Sequence, residues 1–256
     1  MSPFRVLIAL LLLAPLPPQE GDDTGVVSED LKAGGDANKR YFLIAPQKKG
    51  AKPPKAGYKL AVVLPGGDGG AGTHTFVKRI WKEALSGDYL LVQPVAVEWK
   101  PGQFEKLVWP TKKSPAEGMK FTTEEFVEAV VKETAKKYKL DPRCVFTLSW
   151  SSGGPPAYTL SLQENRIVTG SFVSMSVFYE SQLPPLKNAK GYAYYLHHSP
   201  EDTICKIELA REAQKQLKAM GAKVEFAEYK GGHGWHGDVY PQIHAGFQWL
   251  EKSTAR

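Results

Sequence analysis

Short apolar runs alternate along this chain with segments of helical period, and this alternation constrains the fold more than any other feature. Residues 59–64 form a continuous apolar run, which is typical of a strand buried on both faces. Residues 122–125 resemble a capping box, and Phe126, Val127, Val130 and Val131 follow at helical spacing. Further runs that favour strands cover residues 41–45, 89–93, 143–149, 170–177, 191–196 and 223–229, and further helical segments cover residues 75–86, 153–163 and 203–220 and the stretch around Ile243 to Leu250. We therefore predict an α/β fold, with a mostly parallel central sheet and helices on both faces.

The first forty residues differ from the rest. Residues 1–20 combine Arg5, an apolar run from Val6 to Leu13 and a Pro-rich stretch, a pattern that predicts a secretory signal peptide; an uncleaved anchor is the alternative. Residues 21–39 are acidic and without period, and we expect a flexible linker that packs little. One domain is then predicted over residues 40–256 of a secreted or periplasmic protein, with no stable membrane association unless the N-terminal segment is retained.

Composition argues against several classes of function. The formal net charge is +6, but the lysines are scattered and form no basic stripe with interleaved aromatic residues, so nucleic-acid binding is not expected. Cys144 and Cys205 lack the spacing of a zinc site, and no metal or cofactor is predicted. A disulfide between the two cysteines is possible in an oxidising compartment, and buried free thiols are the alternative that we favour.

The strand predicted over residues 143–149 stops at a turn of small residues centred on Ser151. The order small residue, any residue, Ser, any residue, Gly is typical of a sharp strand-to-helix turn that presents the middle hydroxyl above a sheet. An ordinary Ser/Gly loop is the alternative when the pentapeptide is taken alone. Because a buried strand precedes Ser151 and a helical segment follows it, we predict that Ser151 is a nucleophile.

Two later strand ends supply the partners that a serine nucleophile requires. Asp202 follows the strand predicted over 191–196, and His233 follows the last strand between two glycines. The chain order nucleophile, acid, base is that of one class of hydrolases, in which the imidazole takes the serine proton and the carboxylate orients the imidazole. His236 is the second choice for the base and Glu201 for the acid, whereas His74, His197, His198 and His244 lack a comparable setting.

The strand over residues 59–64 ends in a glycine-rich stretch, residues 65–70. No Gly-Lys-Ser/Thr follows, so a phosphate-binding loop is not supported. We predict instead that a backbone N–H of Gly67 or Asp68, together with that of Ser152, stabilises an oxyanion. A flexible connector is the alternative, with Asp68 as a turn former. Trp99, Phe104 and Trp109, in the predicted loop 98–120, either line a substrate pocket or, as we favour, pack their own loop onto the domain.

These segments resemble the α/β-hydrolase superfamily, particularly its secreted esterases related to polyhydroxybutyrate depolymerases, feruloyl and acetylxylan esterases and dienelactone-hydrolase-like proteins. The resemblance covers residues 40–252 and is carried by Asp141-Pro142-Arg143, Ser151-Ser152-Gly153-Gly154 and Gly232-His233-Gly234-Trp235. It implies that Ser151 is the nucleophile and His233 the base, and it matches Asp202 to the acid less specifically. The sequence departs from the family pattern at Ser149, where the first elbow glycine is usual, and at Pro65, where many members have His.

The expectation that follows is a serine hydrolase that cleaves carboxylic esters through an acyl-enzyme, with a small-molecule or polysaccharide-linked ester as substrate. Two alternatives remain open. One is a peptidase of the prolyl-oligopeptidase type, whose catalytic domain has the same fold but which usually carries an additional substrate-gating domain. The other is a non-catalytic binding protein on a hydrolase scaffold, which the residues at Ser149 and Pro65 suggest.

Overall fold

The computed structural model describes residues 23–46, 53–85 and 87–255, and its centre is one eight-stranded sheet. The strands are β1 (Glu29–Lys32), β2 (Arg40–Ile44), β3 (Tyr58–Leu64), β4 (Tyr89–Pro94), β5 (Leu140–Trp150), β6 (Gly170–Ser174), β7 (Ala193–His198) and β8 (Lys223–Glu228). They lie in the order β1-β2-β4-β3-β5-β6-β7-β8. β1 pairs antiparallel with β2 and β2 with β4, while the other neighbours pair parallel.

In the part of the chain that the structure describes, five α-helices cover the sheet on both faces, as the alternation of strand and helix patterns predicts. They are α1 (His74–Ala84), α2 (Thr123–Lys137), α3 (Gly154–Ser161), α4 (Ile207–Ala219) and α5 (Val239–Thr254). On β3, Leu60 and Val62 face the core cluster that contains residues of α2, α3 and α4, whereas Ala61 and Val63 face the cluster that contains residues of α1 and α5. Each central strand is thus buried on two faces, which accounts for its uninterrupted apolar run.

Local signals in the sequence set several of these boundaries. The predicted capping box is present at the start of α2, where the Thr122 hydroxyl accepts from Glu125 N–H and the Glu125 carboxylate accepts from Thr122 N–H. α4 begins at Ile207, four residues later than predicted, and in the segment before it the N–H groups of Ile204 and Cys205 donate to the Asp202 carboxylate.

The expectation of a flexible linker over residues 21–39 is wrong for the residues that the structure describes. Residues 29–32 form the edge strand β1, Ala33 is fully buried, and Arg40 makes a bidentate ion pair with Asp30. The residues of β1 are nearly all exposed and carry no apolar alternation, so the strand is held mainly by main-chain hydrogen bonds to β2. Such pairing depends on the partner strand and leaves no hydrophobic period in the sequence.

The predicted signal peptide, residues 1–20, lies outside the described residues. Within the described ranges, none of the helices has the length and hydrophobicity that a membrane crossing would need.

Candidate active site

The turn after β5 holds Ser151 in a strained backbone conformation. Ser151 opens a single 3-10 turn between β5 and α3, and its φ angle is 50°. Residues other than glycine seldom adopt positive φ, and they keep it only where the surrounding structure enforces it. Such strain is typical of a turn that lifts one hydroxyl above the edge of a sheet.

The residues after Ser151 show why this turn needs glycine. A Cβ atom on Gly153 would lie 2.0 Å from the carbonyl oxygen of Leu64, and one on Gly154 would lie 2.0 Å from Ser176 Oγ. Both contacts are closer than real Cβ atoms permit. Ser149 is fully buried, and its hydroxyl donates to the Phe172 carbonyl oxygen of the neighbouring strand at 3.1 Å. The closest approach of helix and strand therefore falls at Gly153 and Gly154, and the sheet accommodates a serine at position 149.

The structure brings together the three side chains that the sequence places at strand ends. Ser151 Oγ lies 3.1 Å from His233 Nε2, and His233 Nδ1 lies 2.8 Å from Asp202 Oδ2. In the neutral tautomer that fits both contacts, Nδ1–H donates to the carboxylate and Nε2 accepts the serine proton. The arrangement can therefore pass a proton from the serine hydroxyl to an imidazole that a carboxylate orients.

Asp202 is a buried carboxylate with donors on both oxygens. Its Oδ1 accepts from the N–H groups of Ile204 and Cys205, both at 2.8 Å, and its side chain is fully buried. Burial by itself would raise the pKa of Asp202, but the hydrogen bonds from His198, His233 and the Cys205 N–H together hold it well below its usual range. Asp202 is therefore ionised at neutral pH, as an orienting carboxylate must be.

His198 is a neighbour of this site that no pattern in the sequence singles out. Its Nε2 lies 2.6 Å from the Cys205 carbonyl oxygen and 3.2 Å from Asp202 Oδ2. A carbonyl oxygen only accepts, so Nε2 carries the proton, and Asp202 is held by two imidazoles. The sequence signal for this contact is that His198 lies four residues before Asp202. That spacing does not predict a contact until the end of β7 and the turn after it are placed.

A loop of glycines carries His233. Four glycines between positions 231 and 237 have positive φ, namely Gly231, Gly232, Gly234 and Gly237. Two side chains hold the loop from the β7 side: the Glu201 carboxylate accepts from Gly231 N–H at 3.1 Å, and Ser199 Oγ accepts from Gly232 N–H at 3.2 Å. Glu201, the second choice for the acid, thus fixes the loop backbone. His236, the second choice for the base, packs against Gly231 and Gly234, and His233 is the histidine that reaches Ser151.

The glycine-rich stretch 65–70 lies against the turn that carries Ser151. A Cβ atom on Gly66 would lie 2.9 Å from Ser151 Cβ, and the Ser152 hydroxyl donates to the Gly67 carbonyl oxygen at 3.0 Å. Asp68 is also a turn former, because its Oδ1 accepts from Gly70 N–H at 2.8 Å. The backbone of Gly66 and Gly67 therefore lies against the turn that carries Ser151 and Ser152, and the prediction that this stretch supplies an oxyanion donor stays a prediction.

The remaining histidines have partners away from this site. His74 contacts Gln93 and Ser28 side chains, His197 contacts Ser174 Oγ at 2.8 Å, and His244 contacts the Ala84 carbonyl oxygen. Within residues 23–46, 53–85 and 87–255, no cluster of three or more His, Cys, Asp or Glu side chains could hold a metal ion. Cys144 and Cys205 are both buried free thiols.

The aromatic residues of the loop before α2 pack that loop onto the domain, which is the interpretation that the sequence analysis favours. The Trp99 ring meets Phe121 edge to face, with ring centroids 4.9 Å apart. Trp109 is buried, and its indole N–H donates to the Pro65 carbonyl oxygen at 3.0 Å. Trp109 thereby fixes the start of the glycine-rich stretch.

Comparison with known proteins gives similarity in structure rather than in sequence. No protein-family model matches the sequence, and a comparison with curated proteins also finds no match. Among solved structures, a thermostable esterase is similar over 89% of this chain with a TM-score of 0.62 and 20% identity. This chain spans 62% of the length of that esterase.

Two further structures are similar over most of both chains. MGS-M1, an α/β-hydrolase enzyme from a Medee basin deep-sea metagenome library, has a TM-score of 0.65 at 13% identity and covers 90% of this chain and 99% of its own. A truncated carbohydrate esterase from gut microbiota has a TM-score of 0.65 at 12% identity and covers 91% of this chain and 98% of its own. Together with the mostly parallel sheet and the helices on both of its faces, these similarities show that the chain has the α/β-hydrolase fold.

Proposed function

We propose that this protein is a serine hydrolase that cleaves carboxylic esters through an acyl-enzyme intermediate, with Ser151 as nucleophile, His233 as general base and acid, and Asp202 as the orienting carboxylate. The observation that carries the proposal is the continuous line of contacts from Ser151 Oγ to His233 Nε2 and from His233 Nδ1 to Asp202 Oδ2, at 3.1 and 2.8 Å. The esterases among the proteins of similar structure support the choice of an ester as the substrate class.

Acylation begins when Ser151 Oγ attacks the carbonyl carbon of the ester. His233 Nε2 takes the hydroxyl proton as the new C–O bond forms, and Asp202 stabilises the imidazolium that results. The carbonyl oxygen becomes an oxyanion, which we assign to the N–H of Ser152 together with that of Gly67 or Asp68; an oxyanion donor typically contributes about 3–4 kcal/mol to the transition state. The tetrahedral intermediate collapses when the bond to the alcohol oxygen breaks and His233 gives that oxygen its proton.

Deacylation repeats these steps with water in place of Ser151. His233 Nε2 accepts a proton from a water molecule as its oxygen attacks the acyl carbon. The bond to Ser151 Oγ then breaks, and the proton returns to Oγ. A carboxylic acid leaves, and the free enzyme is restored with its original tautomer.

The substrate and the compartment are further parts of the proposal. We assign a small-molecule or polysaccharide-linked ester as substrate, in keeping with the carbohydrate esterase of similar structure. We also assign an export function to residues 1–20 from their charge and apolar run, so the protein is secreted or periplasmic. Expression of the full chain with cell fractionation tests this assignment, because accumulation in the cytoplasm at full length would contradict it.

The central test combines turnover with active-site labelling. The protein should hydrolyse p-nitrophenyl acyl esters and should react with a fluorophosphonate probe at Ser151. Ser151→Ala should abolish both while the circular dichroism spectrum stays unchanged. Ser161→Ala is the matched control, because Ser161 is a buried serine of α3 whose hydroxyl contacts Tyr158 and Tyr194, and it should keep both activities.

Three outcomes would contradict the proposal. Turnover that survives Ser151→Ala would remove Ser151 from the reaction. A folded wild-type protein that neither turns over esters nor reacts with the probe would indicate a binding protein. Labelling at Ser151 with cleavage of peptides but not of esters would favour the peptidase alternative.

A further inference from the structure

Ser176 lies beside the strained turn although it is far from it in sequence. Its hydroxyl donates to the Ser151 carbonyl oxygen at 2.7 Å, and the residue is 4% exposed. The close approach is possible because residue 154 is glycine; a Cβ atom there would lie 2.0 Å from Ser176 Oγ and 2.5 Å from Ser176 Cβ. Gly154 and Ser176 therefore form a matched pair, and the small residue on α3 makes room for the hydroxyl from the end of β6.

Ser176 follows a second strained residue. Among the described residues, Ser151 and Met175 are the non-glycine residues with positive φ, at 50° and 39°. Met175 N–H donates to the His197 carbonyl oxygen at 2.8 Å, which ties the chain after β6 to β7. Backbone strain of this kind persists where surrounding contacts enforce it, and these contacts deliver Ser176 Oγ to the carbonyl of Ser151.

The carbonyl that Ser176 holds belongs to the same peptide unit as the N–H of Ser152. A peptide unit is planar and, in the trans form, its C=O and N–H point in opposite directions. The direction of the Ser151 carbonyl therefore fixes the direction of the Ser152 N–H, which is the oxyanion donor assigned above. Gly154 N–H also donates to the Ser151 carbonyl oxygen within the 3-10 turn, and Ser176 adds a second donor that comes from outside the turn.

On the basis of the proposed function, we propose that Ser176 is a positioning residue that aims the Ser152 N–H at the oxyanion of the transition state. It touches neither the substrate nor the reacting atoms. Ser176 acts on the transition state more than on the bound substrate, because the oxyanion forms only as the serine attacks.

Ser176→Ala should lower kcat roughly tenfold while KM stays within about twofold, which is less than the 10²- to 10³-fold loss expected when an oxyanion donor is removed outright. The inhibition constant of a trifluoromethyl ketone, which adds to a reactive serine and forms an oxyanion, should rise by a similar factor. Rates are expressed per active site titrated with fluorophosphonate, so unfolded protein does not contribute. Ser176→Thr keeps a hydroxyl and should recover part of the loss if it folds.

Ser171→Ala is the matched control, since Ser171 is a fully buried serine of β6 whose hydroxyl contacts Thr147 and Tyr192 instead. Ser171→Ala should lower the midpoint of thermal unfolding but leave kcat and the inhibition constant of the trifluoromethyl ketone unchanged. A purely structural role for Ser176 would give the same result in Ser176→Ala and would overturn the inference, with wild-type turnover still supporting the proposed function.

A measurement that does not depend on turnover tests the role of Ser176 separately from the proposed esterase activity. The amide resonance of Ser152 in the ¹⁵N-labelled protein should move in Ser176→Ala and stay in place in Ser171→Ala. If it stays in place in both variants, Ser176 does not orient that peptide unit. If it moves while the wild-type protein lacks esterase activity, the orientation is real but the oxyanion role fails with the proposed function.

Discussion

The two arms of the candidate site are held in different ways. The turn that carries Ser151 is fixed mainly by packing, of Gly153 against the Leu64 carbonyl and of Gly154 against Ser176, and Ser176 adds one hydrogen bond to the Ser151 carbonyl. The loop that carries His233 donates hydrogen bonds to Ser199, Glu201 and Asp202, and its glycines leave the backbone free to adopt positive φ. Ser151 is thus placed by the core of the fold, whereas His233 is placed by polar contacts that can be altered one at a time.

The largest expected effect comes from the contact between Asp202 and His233, the base of the proposed reaction. Asp202→Asn should lower kcat roughly 10³- to 10⁴-fold, because an amide that donates to His233 Nδ1 would favour the wrong tautomer. Glu201→Gln is the matched control on the same turn, since Glu201 contacts the loop backbone at Gly231. The kcat of this variant should fall by less than about tenfold. Steady-state kinetics on p-nitrophenyl esters measures both, and equal losses would show that the two carboxylates have the same role.

The next prediction compares the loss of stability at a tightly packed glycine, Gly153, with the loss at a glycine of the histidine loop, Gly232. Gly153→Ala places a Cβ atom 2.0 Å from the Leu64 carbonyl oxygen, and we expect a loss of at least about 4 kcal/mol in the free energy of unfolding, or no folded protein. Gly232→Ala places its Cβ 3.6 Å from the Glu201 carbonyl oxygen, at a φ of 80°, and should cost only about 1 kcal/mol for backbone strain. Urea denaturation compares the two, and similar losses would contradict the distinction between the arms.

A smaller effect concerns the pH dependence of stability that His197 causes. His197 is buried, contacts Ser174, and stacks on Tyr229 with ring centroids 4.4 Å apart. Burial lowers the pKa of His197 from about 6.5 to about 4. Between these values the unfolded chain holds a proton that the folded protein lacks, so stability falls as the pH decreases from 6.5 to 4 and this contribution is constant below pH 4.

The corresponding loss is about 3 kcal/mol in the free energy of unfolding across that interval. His197→Gln removes the titrating group and should give a shallower dependence on pH. Urea denaturation of both proteins at pH 7, 5.5 and 4 measures the difference between them. Parallel curves would show that the pKa of His197 is the same in the folded protein as in the unfolded chain.

The smallest effect concerns the first residue of the elbow. Ser149→Gly introduces the glycine that is usual at this position in the proteins the sequence resembles, but it removes the hydrogen bond to the Phe172 carbonyl oxygen. We expect the free energy of unfolding to fall by about 1 kcal/mol and kcat to stay within about twofold. A gain of more than about tenfold in kcat would show instead that the serine at position 149 impairs the proposed reaction.

Local sequence signals predicted the elements near the site because each signal acts over a few residues. The apolar run of residues 59–64 became β3, and the capping box at Thr122 begins α2. β1 and the role of His198 could not be predicted in the same way. β1 depends on main-chain pairing with β2, and His198 meets Asp202 only through the turn that follows β7.

By itself, the sequence determined the order of the helices and of the strands from β2 to β8, and the three strand ends at which Ser151, Asp202 and His233 stand. Hydrophobic period and small-residue turns are local properties and can be read without the fold. Only the tertiary structure decided which groups hold those side chains. It placed Ser176 on the Ser151 carbonyl, His198 on Asp202 and Glu201 on the histidine loop. Parallel strands that are distant in the chain end at one edge of the sheet, and hydrogen bonds between their loops leave no period in the sequence.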